Sequence, residues 1–153
     1  MDLIASLFSN YPLIAALSSW AAAQIIKIII VLIYYKDELS AKLFYASGGM
    51  PSSHAASVCA LSMSIALKYG LGDPLFAIAA MFSFIVIYDA AGVRRSAGEQ
   101  AKTLNELITR LSDENQISED QKMVREVLGH TPLQVIVGSL LGILISVLFK
   151  FIY

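Results

Sequence analysis

Cysteine occurs once in these 153 residues, which excludes an intramolecular disulfide framework and a cysteine-ligated zinc site. Charge is scarce as well: 15% of the residues are Asp, Glu, Lys or Arg, where an ordinary soluble domain carries about 25%. The formal net charge is −1 and there is no basic run, which argues against nucleic acid as a partner. Sequence repeats and low-complexity tracts are missing too. Apolar residues are what the chain has in excess, at 57% hydrophobic and a mean hydropathy of +0.67. A disordered chain or an ordinary soluble domain does not fit this composition. A small polytopic membrane protein does, as one membrane domain over residues 1–153.

The apolar segments predict an all-α, polytopic membrane helical bundle with about four transmembrane helices plus two cytoplasmic amphipathic helices. The spans fall at about 11–35, 54–71, 74–91 and 132–153, with a helical insert at about 95–130. From Tyr11 to Tyr35 only Gln24 and Lys27 interrupt a run long enough to cross about 30 Å of hydrocarbon. Pro132 to Tyr153 is a second clear span. The two middle segments are shorter and richer in Ala and Ser. Joined by Gly70-Leu71-Gly72-Asp73, they read as a tight hairpin packed inside the bundle. No positively charged side chain precedes the first run and no small-residue cleavage site follows it, so it is not read as a signal peptide.

Gly138 and Gly142 form a GxxxG pair, and Ala60 and Ser64 repeat that spacing, as expected where membrane helices approach closely. Eight cations (Lys36, Lys42, Arg94, Arg95, Lys102, Arg110, Lys122 and Arg125) sit on one side of a four-span topology, and Lys68 and Lys150 on the other. The positive-inside bias makes the first side cytoplasmic. The expectation is therefore an integral, multi-pass protein of a bacterial cell membrane, with the active face and long loops cytoplasmic and both termini opposite. Ala97, Ala101, Leu104, Leu107, Ile108 and Leu111 recur at helical spacing in the insert. A second insert helix starts at the capping-box pattern Ser118-Glu119-Asp120-Gln121 and carries Met123, Val127 and Leu128. Both helices are expected along the membrane surface or over the mouth of the bundle.

Both histidines stand where a cytoplasmic segment meets a span. His54 ends Gly48-Gly49-Met50-Pro51-Ser52-Ser53-His54, in which Gly49 allows close approach, Pro51 sets the chain direction, and Ser52 and Ser53 can cap a helix. Such a helix start offers backbone N–H groups to a phosphate, although a plain capped helix explains the same residues. His130 lies in Leu128-Gly129-His130-Thr131-Pro132-Leu133-Gln134, at the same depth by topology. Arg94 and Arg95 follow Asp89 at that level. Lys27 lies about 11 Å inside the cytoplasmic end of its helix, and Trp20, Gln24, Lys27, Val31 and Tyr34 share one face. An intramembrane lysine usually faces the bundle interior, the alternative being a side chain that snorkels to the interface. Cations with oriented amides bind a phosphoryl group, and paired histidines serve as nucleophile and general acid. A metal held by the two histidines and Asp89 is the weaker assignment, and no cofactor is expected.

These stretches, together with Tyr88-Asp89-Ala90-Ala91-Gly92-Val93-Arg94-Arg95 and Ala97-Gly98-Glu99-Gln100-Ala101, resemble signatures of the divergent type-2 phosphatidic acid phosphatase family. That family is related to acid phosphatases and vanadium-dependent haloperoxidases. The resemblance runs from about Trp20 to Gly142. It implies that Ser52, Ser53 and the adjacent amides bind phosphate, that His54 protonates the leaving group, and that His130 becomes the phosphohistidine. It also places Lys27, Arg94 and Arg95 on the phosphate. Departures are visible. Ser53 stands where glycine is usual, Gln134 where an aspartate orients the nucleophile, and Val124 where an arginine is expected. Lys27 lacks the Arg-Pro that follows it in the wider superfamily. Asp89, with Arg94 and Arg95, is the candidate replacement.

Three functions follow from these residues. The leading one is a membrane phosphatase acting on a lipid phosphate or a prenyl (di)phosphate at the cytoplasmic face. The second is a lipid-phosphate-binding or transport protein without turnover. The third is a membrane assembly partner that recruits a subunit through its GxxxG face. Membrane lipid is the expected surrounding partner, and four short helices are compatible with a homodimer.

Overall fold

The computed structural model describes residues 3–34, 49–113, 123–124 and 129–153. Tyr35, Lys36, Lys42, Gly48, Lys122, Arg125 and most of the second insert helix, including its capping box, lie outside these. The described elements are helices only: α1 (Leu3–Phe8), α2 (Tyr11–Tyr34), α3 (Ser53–Tyr69), α4 (Pro74–Tyr88), a π-helical turn (Asp89–Val93), α5 (Arg94–Asp113) and α6 (Pro132–Lys150).

Helix ends follow local chemistry. Ser52 caps α3, its Oγ accepting from the Ala55 N–H, and Gly70 ends the helix at φ +94°, where a residue with a Cβ is strained. Asp73 caps α4 by accepting from the Leu75 N–H at 2.8 Å, with Pro74 in the first turn. Thr131 and Gln134 close a capping box on α6, with Pro132 behind the cap.

Helix α3 is the hub. It packs on α6, α2 and α4, and its contact with α6 is the most extensive. The glycines explain that seam. A Cβ on Gly138 would collide with the Ser52 carbonyl oxygen, and one on Gly142 with the Ala56 carbonyl oxygen and the Ala60 nitrogen. Both glycines are buried, as are Ala60 and Ser64. The GxxxG face is therefore filled from within the chain, by α3. On α2 the buried stripe is Tyr11, Ala15, Ser19, Ala23 and Lys27, a repeat of four. Trp20 points outward, so the expected face through Trp20 lies beside the true one. At the far end the Tyr11 hydroxyl donates to the Ser146 carbonyl at 2.7 Å, tying α2 to α6.

Two expectations are corrected. Within the hairpin only α3 lies inside the bundle. Helix α4 buries Ala79 and Ser83 but exposes Ile78, Met81, Phe82, Phe84 and Ile85. It holds to α3 through the Ser83 hydroxyl, which bonds the Val58 carbonyl and the Ser62 hydroxyl. The helix that carries the third span also does not stop near residue 91. It runs through the π turn into α5 as one helix, Pro74–Ser112, of 39 residues. On α5 Gly98 and Ala101 are buried, while Ala97, Leu104, Leu107 and Leu111 are exposed. Asn105 pairs with the Val124 backbone, donating to its carbonyl at 2.9 Å and accepting from its N–H at 2.8 Å.

Among the described residues three helices, Tyr11–Ile33, Pro74–Ser112 and Pro132–Lys150, are long and apolar enough to cross a membrane. Helix α3, with 17 residues, is shorter and carries more serine and alanine. All-helical, multi-pass architecture is the result. The N-termini of α3 and α6 share one end of the bundle with the π turn, and their C-termini share the other.

Candidate active site at the histidine end

Four short features build this end: residues 49–53, the π turn, residues 129–131, and Lys27 from α2. The first is locked to the first turn of α6, and the third to the π turn. The Ser52 N–H donates to the Gln134 carbonyl at 3.0 Å, and the His130 N–H donates to the Ala90 carbonyl at 3.1 Å. Gly129 lies so close to the backbone of Arg94 and Arg95 that a Cβ there would overlap it. Backbone-to-backbone contacts thus set the spacing before any side chain is considered.

His130 is buried at 5% exposure, and its Nδ1 stands 3.3 Å from the Gln134 Oε1. The same Oε1 accepts from the Thr131 N–H at 3.0 Å. Two donors thus converge on one amide oxygen, so Nδ1 carries the hydrogen and Nε2 keeps its lone pair. Burial pushes the His130 pKa below the usual histidine value. The Gln134 hydrogen bond opposes that shift, while the positive charges of Lys27, His54 and Arg94 add to it. His130 is therefore a neutral imidazole with a defined tautomer near neutral pH.

His54, on the first turn of α3, is exposed, and its ring centroid lies 6.5 Å from that of His130. Between them opens a small cleft of about 20 Å³, lined by His54, Val86, Asp89, Ala90, Arg94, Gly129 and His130. That is space for about one water-sized group. Asp89 and Arg94 are paired through the Arg94 Nε, across the five-residue step that the π turn creates. Such turns inside helices often mark functional sites.

Lys27 is 8% exposed, and its stem packs on Gly49, where a Cβ would come within 3.4 Å of it. It reaches the site from inside the bundle and does not snorkel. Ser52 is fully buried and Ser53 nearly so, while the N–H groups of Ser53 and His54 have no partner among the described residues. Those two amides are the ones a helix start leaves unpaired.

The structure thus brings together His54, His130, Asp89, Arg94 and Gly49 with Lys27. Pro51 and Ser52 sit beneath them as the buried turn. Arg95 is turned away onto Glu99, at 3.0 Å on the exposed face of α5. Gln24 is half-buried and lines no part of the cleft. Asp89 is not the group bonded to His130. Gln134 is, because it sits one turn into α6 with its oxygen already directed back by the capping box. Sequence reasoning missed Val86, Ala90 and Gly129 as walls. Glycine beside a histidine was the one available signal.

The sequence pattern of the divergent PAP2 family matches residues 8–145. The chain is also similar to the membrane protein YuiD of Bacillus subtilis (strain 168). The two are 41% identical over 156 residues, covering 96% of this chain and 98% of that protein. No solved structure matches the chain.

Proposed function

The chain belongs to the divergent PAP2 family, and from that premise we propose that it is a membrane phosphatase hydrolysing a lipid phosphate or prenyl diphosphate. His130 is the nucleophile and His54 the general acid. The observation that carries this reading is the ordered pair of imidazoles on one cleft with Arg94, His130 presenting a free Nε2.

In the first step the Nε2 lone pair forms a bond to phosphorus as the bond from phosphorus to the leaving oxygen breaks. His54 delivers a proton to that oxygen. Water then attacks the phosphohistidine and gives its proton back to His54, which releases phosphate and restores both rings. Arg94, Lys27 and the amides of Ser53 and His54 carry the charge that builds on the phosphoryl oxygens. Asp89 holds the Arg94 side chain at the cleft edge and serves the histidine only through it. The lipid chain lies along the exposed apolar side of α4, next to the cleft wall at Val86. Helix α3 is the fourth span, short because it is surrounded by protein, and the histidine end is cytoplasmic by the balance of Lys and Arg.

Gln134 supports a second reading, a lipid-phosphate binder without turnover. A neutral amide orients His130 but stabilises the charged phosphoimidazolium less than a carboxylate does. Phosphate release separates the two. Full-length protein in bilayers, without added metal, is given a panel of phospholipid and polyprenyl phosphates. Expected are phosphate release and acid-labile phosphate trapped on wild type, both lost in His130→Ala. Tight substrate binding with no release from any compound would establish the binding protein instead.

A further inference from the structure

At the end of the bundle opposite the histidines is a second cavity, of about 270 Å³, lined by Ser9, Tyr11, Leu67, Lys68, Lys150 and Tyr153. Lys68 and Lys150 close the last turns of α3 and α6. Neither has a carboxylate partner among the described residues, whereas Arg94 and Arg95 both do. Asp73, on the nearby turn, is committed to capping α4. The cavity floor is fixed. Tyr11 and Tyr153 stack with centroids 6.0 Å apart, and the Tyr153 hydroxyl donates to the Phe8 carbonyl at 3.0 Å. Around it Phe8, Leu71, Phe151 and Ile152 are among the most exposed large apolar side chains of the molecule.

A single lysine at a helix C-terminus is explained by the helix dipole and by snorkelling. Lys68 Nζ lies 5.4 Å from the Tyr69 ring centroid, a contact that leaves its charge uncompensated, and two lysines without a carboxylate lining one cavity ask for an anion between them. Exposed apolar side chains adjacent in the chain to the lining residues, Phe8 beside Ser9 and Phe151 and Ile152 between Lys150 and Tyr153, place that anion at a bilayer surface and not in open water. We propose that this cavity binds the phosphodiester headgroup of an anionic phospholipid, in the leaflet opposite the histidine site. The shared chemistry is a phosphate between two ammonium groups. Free phosphate would satisfy the lysines but would leave Phe8, Leu71, Phe151 and Ile152 without a role. The site is structural and separate from the hydrolytic cleft, so it stands whether or not the protein turns over.

The test uses the full chain in nanodiscs of mixed phosphatidylcholine and phosphatidylglycerol, with lipids that stay bound after extraction counted by native mass spectrometry. Wild type should retain phosphatidylglycerol preferentially. Lys68→Gln with Lys150→Gln should reduce that preference about thirtyfold, the effect of removing two surface charges, each worth about 1 kcal/mol, facing an anionic lipid. Lys102→Gln on α5 should leave it unchanged, and Lys68→Arg with Lys150→Arg should keep it, which separates charge loss from misfolding. An unchanged preference in the double Gln variant would overturn the proposal. So would displacement of phosphatidylglycerol by equimolar inorganic phosphate, since the source would then be the free ion.

Discussion

The two walls of the histidine cleft are built by opposite means. One wall, from α3 and α6, rests on backbone touching backbone: Gly138 against Ser52, Gly142 against Ala56, and the Ser52 N–H on the Gln134 carbonyl. It carries His54, His130 and Gln134. The other wall is the π turn at the end of α4, pinned to the first at one point, where Ala90 packs on Ala55 and Val135 and accepts from the His130 N–H; α4 itself buries only Ala79 and Ser83 and holds to α3 through hydroxyls. It carries Asp89 and Arg94, both substantially exposed. In the proposed mechanism the groups that break and make bonds, His54 and His130, sit on the stiff wall, where position matters to tenths of an ångström. The groups that only need to meet charge sit on the adaptable one.

The largest effect should come from attacking the stiff wall at its seam. Gly142→Leu forces a side chain into the Ala56 carbonyl and should prevent assembly of the folded bundle, read as loss of a cooperative melt in detergent. The same substitution at Gly92, where a Cβ meets nothing within 4 Å, should leave the melt nearly unchanged. If Gly142→Leu melts like wild type, the distinction between the two walls collapses.

Gln134→Leu should come next, costing about 10²-fold in turnover because His130 loses its tautomer and orientation. Its pH profile sharpens the point. Phosphoryl transfer needs neutral His130, so the rising limb of kcat/KM reports that pKa and should lie below the usual histidine value. The Gln134 hydrogen bond raises the pKa, so Gln134→Leu should move the limb to lower pH. Arg94 lowers it, so Arg94→Ala should move the limb to higher pH. Stability follows the same sign. Between the ordinary and the lowered folded pKa the unfolded chain binds more protons, so stability falls as pH drops through that window.

Smallest, and confined to the adaptable wall, is Arg94→Ala itself. It should weaken vanadate binding about tenfold, the size of a partly screened charge-assisted contact, with the melting temperature unchanged. Asp89→Asn should weaken it less, since it frees Arg94 without removing it. Equal losses from Asp89→Asn and Gln134→Leu would return the orienting role to Asp89.

The stiff wall was legible in the chain. Small residues at 138, 142, 60 and 64, a serine before α3 and a Thr-x-x-Gln before α6 are local patterns with local causes. From them the convergence of His54 and His130 follows by topology. The adaptable wall was not. Apart from Ser83 and the terminal Tyr88, every position of α4 is apolar, so hydrophobic periodicity does not separate its buried side from its exposed one. Asp89-Ala90-Ala91-Gly92-Val93 has nothing that announces a π turn, yet that turn decides that Arg94 and not Arg95 faces the cleft. Glu99, four residues after Arg95, was the available sign that Arg95 had another partner. The resemblance already placed Gln134 at the position that orients His130; what the chain did not show is that its one oxygen serves two donors, His130 Nδ1 and the Thr131 N–H.

The continuous helix Pro74–Ser112 is, mechanically, a lever. At 1.5 Å per residue its 39 residues extend about 58 Å, roughly twice the hydrocarbon thickness. The fulcrum is the π turn, and the arm beyond it is about 27 Å long. Pushing the tip sideways by about 5 Å rotates the arm by about 10°, which shifts a side chain rooted at the fulcrum by about 1 Å; in an active site that distance is worth about 10²-fold in rate. A displacement at the tip of α5 would therefore reach Arg94 as a fine adjustment, and would bear on His130 as well, through the Ala90 carbonyl and the Gly129 contact that join the turn to residues 129–130.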